Sequence, residues 1–226
     1  MSGILGQLRD WSVSFRERGK YTPVGVSFHW IMAALVIYQL GSGWWMQRYL
    51  VGSDKLDAYQ AHSSIGLSIL LVGALRLLWR MIVPGPINDA DRQGWRTTAA
   101  HAIHVMFYIL FVLLPISGWM LWSAIQPAEP LYLAGLVAVP QMPFYDLSPE
   151  WQYWLLDTAE DVHVFCVVVL ALVIPAHAGA AIKHHFWDRD DVFQGMLPEI
   201  PDAEWSVADA QNTQKADQPR ALPEAG

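Results

Sequence analysis

A chain of 226 residues that is 54% hydrophobic and only 15% charged is too apolar for an ordinary water-soluble domain, so its apolar residues must be gathered into segments. Its net charge is −7, and nucleic acid is not an expected partner. The single cysteine, Cys166, rules out a disulfide within the chain, and the lack of a C-x-x-C-H sequence rules out thioether-bound haem.

In chain order, the first element is an arm over residues 1–20. Ile4, Leu8, Trp11 and Phe15 recur at helical spacing with Arg9, Arg16 and Arg18 elsewhere on the wheel, which predicts a helix lying on the inner membrane surface. The Thr22-Pro23 pair ends it. Four apolar segments follow, at about Gly25–Met46, Tyr59–Met81, Ala99–Trp122 and Asp161–Ile182. Each approaches the ~20 residues that a helix needs to cross a hydrocarbon core. Continuous runs such as Ile31 to Ile37 and Val164 to Pro175 lack the alternation of a membrane β-barrel. The start of the chain lacks the pattern of a cleaved signal peptide, so the first span is expected to act as an uncleaved anchor. The second connection, around Pro84, Gly85 and Pro86, reads as a short turn, and the third, about Ser123 to Glu160, as a longer acidic loop rich in Pro and Trp. Beyond Pro198, residues 199–226 read as a disordered tail. No internal repeat is evident. Pro115 and Pro175 are expected to kink their helices. Trp44, Trp45, Trp79, Trp119, Trp122, Trp151, Trp154 and Trp187 fall near span ends, as an aromatic belt would.

The basic residues sort by side. Arg9, Arg16, Arg18 and Lys20 precede the first span, Arg76, Arg80, Arg92 and Arg96 flank the second connection, and Lys183, Arg189, Lys215 and Arg220 lie at or after the end of the fourth. Only Arg48 and Lys55 are left for the first and third connections. This bias orients both termini to the cytoplasm.

Depth then follows from position. His29 lies near the inner end of the first span and His62 near the outer end of the second. In the fourth span His163 and His177 are 14 residues apart, about 21 Å of helical rise. Fourteen residues are also two heptads, which keeps both on one face of a left-handed bundle. His163 is thereby level with His62, and His177 with His29. Ionisable groups at membrane depth are costly and mark function by default. Paired imidazoles in a dry bundle suit an iron porphyrin, with Gly66 and Gly73 leaving a groove beside His62 and Ala178 to Ala181 a similar one after His177. Close helix packing is the plainer account of each small residue taken singly.

These residues resemble the bacterial cytochrome b561 proteins, a family related to the di-haem cytochrome b subunit of nickel-iron hydrogenases. The likeness rests on Tyr21-Thr22-Pro23, Ser27-Phe28-His29-Trp30, His62-Ser63-Ser64-Ile65-Gly66 and Leu75-Arg76-Leu77-Leu78-Trp79-Arg80. It continues with His101-Ala102-Ile103-His104 before Tyr108, Leu114-Pro115-Ile116-Ser117-Gly118-Trp119, and His163 and His177 before Lys183-His184-His185-Phe186. The resemblance spans about residues 21–198. It implies an all-α, four-helix membrane bundle in the bacterial inner membrane, holding two non-covalent b-type haems stacked across it. His29 and His177 would ligate the inner haem, His62 and His163 the outer. Family members exchange electrons with the quinone pool, ubiquinone included, and one branch is a superoxide oxidase.

Other residues carry two readings. Arg76 can bond a haem propionate or snorkel to lipid phosphate. His104 can contact a propionate or a quinone, or serve no role beyond a helix start. His184 and His185 fit headgroup contact better than a site. Cys166, one turn after His163, is expected to pack beside the outer site.

The function expected is electron transfer between an outer-face donor or acceptor and a membrane quinone, with superoxide oxidation as the alternative within the family. A metal-ion transporter using intramembrane histidines is an alternative of another class, but it calls for span carboxylates, and none lies between Gly25 and Met46 or between His62 and Leu75. A redox-silent anchor leaves the paired histidines unexplained. The outward segments set Arg48 and Lys55 against Asp54, Asp57, Glu129, Asp146, Glu150, Asp157, Glu160 and Asp161, which favours a neutral quinol or a basic periplasmic redox protein over an anion.

Overall fold

A computed structural model describes residues 3–83, 85–86, 94–124, 129–189 and 193–198. The tail at 199–226 and most of the second connection lie outside the described residues. Among the described residues there are five α-helices: α1 (Ile4–Glu17), α2 (Pro23–Tyr49), α3 (Gly52–Ile82), α4 (Trp95–Ser123) and α5 (Pro149–Lys183). Helices α2 to α5 are each long and apolar enough to cross a membrane. They pack as a bundle in which α2 lies against α3, α3 against α4 and α4 against α5.

Local chemistry sets the boundaries. Pro23 opens α2 at a position where a missing N–H costs nothing, and the Thr22 hydroxyl accepts from the Gly25 N–H at 3.3 Å. Pro149 opens α5 in the same way. Pro115 and Pro175 both lie inside uninterrupted helices, because neighbouring helices can compensate a lost backbone bond. The helices also exceed the apolar segments read from sequence. α3 begins at Gly52 and α5 at Pro149, each well before its apolar segment and each at the bundle end at which the α2–α3 connection turns. That end is called the hairpin end here, and the end bearing α1 the arm end.

Among the described residues, strands occur only in the third connection. Strands β1 (Leu131–Leu133) and β2 (Val137–Val139) pair antiparallel, with Leu133 opposite Val137. Ala134 and Gly135 turn between them at φ 51° and 71°, in the left-handed region that suits hairpin turns. The hairpin is tied to α3 by side chains: Tyr132 N–H donates to Ser64 Oγ at 3.1 Å, and Ala134 N–H to Ser68 Oγ at 2.8 Å. Leu131 is buried with Leu67 and Trp122. The alternation signal in such three-residue strands is too short to read from sequence.

Several tryptophans serve as struts. Trp122 donates to the Glu129 carbonyl, Trp119 to the Pro140 carbonyl and Trp79 to the Thr22 hydroxyl. Trp44, Trp45, Trp151, Trp154 and Trp187 are more than half exposed, the position a lipid interface favours. At the arm end a 3₁₀ turn (Gln194–Met196) docks on the start of α2, where Trp30 donates to the Met196 carbonyl at 2.8 Å. Between the two ends, Met32, Val36, Ile69, Leu110, Cys166 and Leu170 form a buried apolar layer.

Candidate functional site

The sequence-predicted histidines gather in two groups, one on each side of that apolar layer. At the hairpin end the ring centroids of His62 on α3 and His163 on α5 are 6.5 Å apart. At the arm end those of His29 on α2 and His177 on α5 are 6.3 Å apart. All four side chains are half-buried.

The hairpin-end pair borders a partly open cleft lined by Val36, Gln39, Gly66, Phe111, Pro115 and Leu170 among others, with about 550 Å³ of space free of protein atoms, open solvent included. Gly66 belongs to its wall, and a Cβ there would come within 3.4 Å of Gln39 Nε2. Gly73, by contrast, packs against Met32 and Phe111 and takes no part in the cavity. Ala178, Gly179 and Ala180 are exposed. Sequence reasoning missed two glycines that matter more. A Cβ on Gly43 would lie 3.2 Å from His62 Cε1, and one on Gly118 3.4 Å from His163 Cε1.

It also missed the hydroxyls. Ser42 Oγ lies 3.1 Å from His62 Nδ1, and Ser117 Oγ 2.9 Å from His163 Nδ1. Ser117 sits in a quoted motif, but only packing of α4 against α5 shows which group it meets.

The arm-end group is built differently. Arg76 Nη1 lies 3.3 Å from His29 Nδ1. The exposed His104 ring stands 5.9 Å from His177, and Phe107 meets His177 edge-on at 5.3 Å. Both secondary candidates of the sequence, Arg76 and His104, thus join this group. His185 lies apart, against Phe186 and Phe193. Cys166 is buried in the middle layer.

A metal ion held by protein alone needs about four donors. Among the described residues no three His, Cys, Asp or Glu side chains are placed to hold a metal ion together. An iron already held by four porphyrin nitrogens needs only two axial ligands. Metal–imidazole bonds of about 2.0–2.1 Å, plus roughly 1.1 Å from each nitrogen to its ring centre, put two opposed rings about 6.3 Å apart. The observed separations of 6.3 and 6.5 Å fit that spacing. The apolar cavity wall and the glycines facing His62 and His163 suit a flat, greasy ring. The residues present therefore fit the group.

Comparison with known proteins agrees. Residues 20–199 match the family model described as prokaryotic cytochrome b561. The chain is 29% identical over 188 residues to cytochrome b561 homolog 2 of Escherichia coli strain K12, covering 79% of this chain and 91% of that protein. It is 26% identical over 185 residues to a Yersinia pestis protein named probable superoxide oxidase CybB, covering 80% and 97%. Cytochrome b561 homolog 1 of E. coli is 24% identical over 183 residues, covering 79% and 97%.

Proposed function

The chain belongs to the prokaryotic cytochrome b561 family of membrane haem proteins, and on that premise we propose that it carries electrons across the bacterial inner membrane between a hairpin-side donor or acceptor and the quinone pool. The observation that carries the reading is the double pairing of imidazoles at iron-bridging separation on either side of one apolar layer. His62 and His163 would hold the hairpin-side haem, and His29 and His177 the arm-side haem. When bound, each haem supplies a one-electron carrier. The chain's own residues present neutral nitrogens, exclude water with the aliphatic layer, and offer Arg76 to an anionic propionate. Both termini are cytoplasmic in this reading, α1 rests on the inner surface, residues 21–198 form the haem domain and 199–226 the tail.

A second reading, superoxide oxidation coupled to ubiquinone reduction, draws support from the name of the Yersinia relative. The acidic hairpin end favours a neutral quinol or a basic redox protein instead.

The test is a haem count with reduced-minus-oxidised spectra on the purified protein. Two haems per chain are expected. His62→Ala and His163→Ala should each remove one and the same haem, and His29→Ala and His177→Ala the other. One haem in the unaltered chain, or loss of a common haem from changes at His163 and His177, would overturn the assignment.

A further inference from the structure

The two serines at the hairpin end have the same hydrogen-bond pattern. Ser42 Oγ has the Gln39 backbone carbonyl at 3.2 Å and Gln39 Oε1 at 3.4 Å; Ser117 Oγ has the Leu113 and Leu114 carbonyls at 2.7 and 3.0 Å. Carbonyl oxygens only accept, so each hydroxyl proton is directed to its own helix. What remains toward the histidine is the oxygen lone pair. His62 Nδ1 and His163 Nδ1 must then be the protonated nitrogens, each donating to its serine, and each Nε2 is left with a free lone pair.

A second, independent observation joins the serines. The tripeptide Ser-Gly-Trp occurs at residues 42–44 on α2 and again at 117–119 on α4, each time facing the histidine of the following helix. Ser42 follows His29 by 13 residues, and Ser117 follows His104 by 13. Arg76 follows His62 by 14 residues, and His177 follows His163 by 14. The α2–α3 and α4–α5 pairs are two copies of one pattern, hidden from a scan of the sequence because the third connection lengthens the second copy. The copies agree at the hairpin end and, at the arm end, in His29 and His104, and they diverge where Arg76 stands in place of a histidine.

We infer that Ser42 and Ser117 are matched positioning residues that fix the tautomer and ring plane of His62 and His163, with Gly43 and Gly118 giving each ring the room to sit there. An Nδ1–H that donates to an oxygen makes the imidazole a stronger electron donor and stabilises ferric iron, as second-shell partners of metal-bound histidine do. The inference rests on the assignment of His62 and His163 as ligands of one haem.

The experiment is a potentiometric titration of the purified holoprotein with the two haems resolved by low-spin EPR and α-band spectra, His62→Ala identifying the hairpin-side signals. Ser42→Ala and Ser117→Ala should each raise the midpoint of the hairpin-side haem and shift its EPR signal. The double variant should move further, the arm-side haem should stay put, and Ser→Thr at either site should restore the parent values. If an alanine variant loses that haem, Ser→Cys, with a weaker acceptor of similar size, gives the same comparison. Unchanged midpoints in all variants of a two-haem parent, or equal shifts of both haems, overturn the inference. A parent protein without two haems would instead overturn the ligand assignment.

Discussion

Single residues decide how tightly each ring is held. Gly43 and Gly73 are both helical glycines, yet a Cβ at Gly43 would press on His62 at 3.2 Å, whereas one at Gly73 would meet Met32 and Phe111 at 3.8 and 3.9 Å. Alanine removes backbone freedom and favours a helix by about 1 kcal/mol over glycine. Gly73→Ala should therefore leave haem content unchanged and keep or raise thermal stability. Gly43→Ala should lower occupancy of the hairpin-side haem, and equal haem content in the two variants would contradict the packing. Arg76 makes a separate case. A cation beside a haem favours the reduced, less positive iron, so Arg76→Gln should lower the arm-side midpoint and spare the other. A redox titration that moved only the hairpin-side haem would remove Arg76 from the arm-end site. Sequence alone singled out His29, His62, His163 and His177, because a histidine in an apolar span is costly enough to stand out. Ser42 and Ser117 are inexpensive anywhere in a helix, so nothing marked them until the facing helix was known.

Elements decide what lies in the membrane and what stands clear of it. At 1.5 Å per residue, the 35 residues of α5 span about 52 Å, well beyond a ~30 Å core. Its apolar portion includes His163 and His177, so the surplus is about the first three and a half turns, which carry Trp151, Trp154, Asp157, Glu160 and Asp161. These turns, and the β-hairpin tied to Ser64 and Ser68 of α3, belong to the hairpin end. In the proposed orientation it faces the periplasm. A reporter fused after Gly226 should then be active only in the cytoplasm, and a cysteine at Glu150 should react with a membrane-impermeant thiol reagent added outside intact spheroplasts. External activity at the C-terminus would reverse the sides without disturbing the histidine pairing. The four long helices were legible in the sequence as apolar runs. The extra turns of α3 and α5 were not, since they are mixed in polarity.

Across the whole molecule, charge is the property that bears on substrate. Arg48 and Lys55 face eight carboxylates in the segments at the hairpin end. A surface of that sign slows an anion and attracts a basic partner, and salt weakens both effects. Stopped-flow reduction by superoxide should accordingly be well below the diffusion ceiling and should not slow with added salt. A rate near the ceiling that falls as salt rises would show attractive steering, and the superoxide oxidase reading would then replace the quinol or protein-partner reading. What the sequence by itself determined is the set of quantities that accumulate along one axis: four spans, the side on which basic residues collect, and the depth at which each histidine lies. Each follows from counting residues at a fixed rise through a slab of known thickness. Only the tertiary structure decided what depends on rotation about that axis and on which helix stands beside which. The serine facing each hairpin-end ring, the approach of Arg76 to His29 and of His104 to His177, and the docking of the β-hairpin on α3 all belong there. Contacts between helices are made by side chains distant in sequence, and their azimuth is set by the packing of the whole bundle.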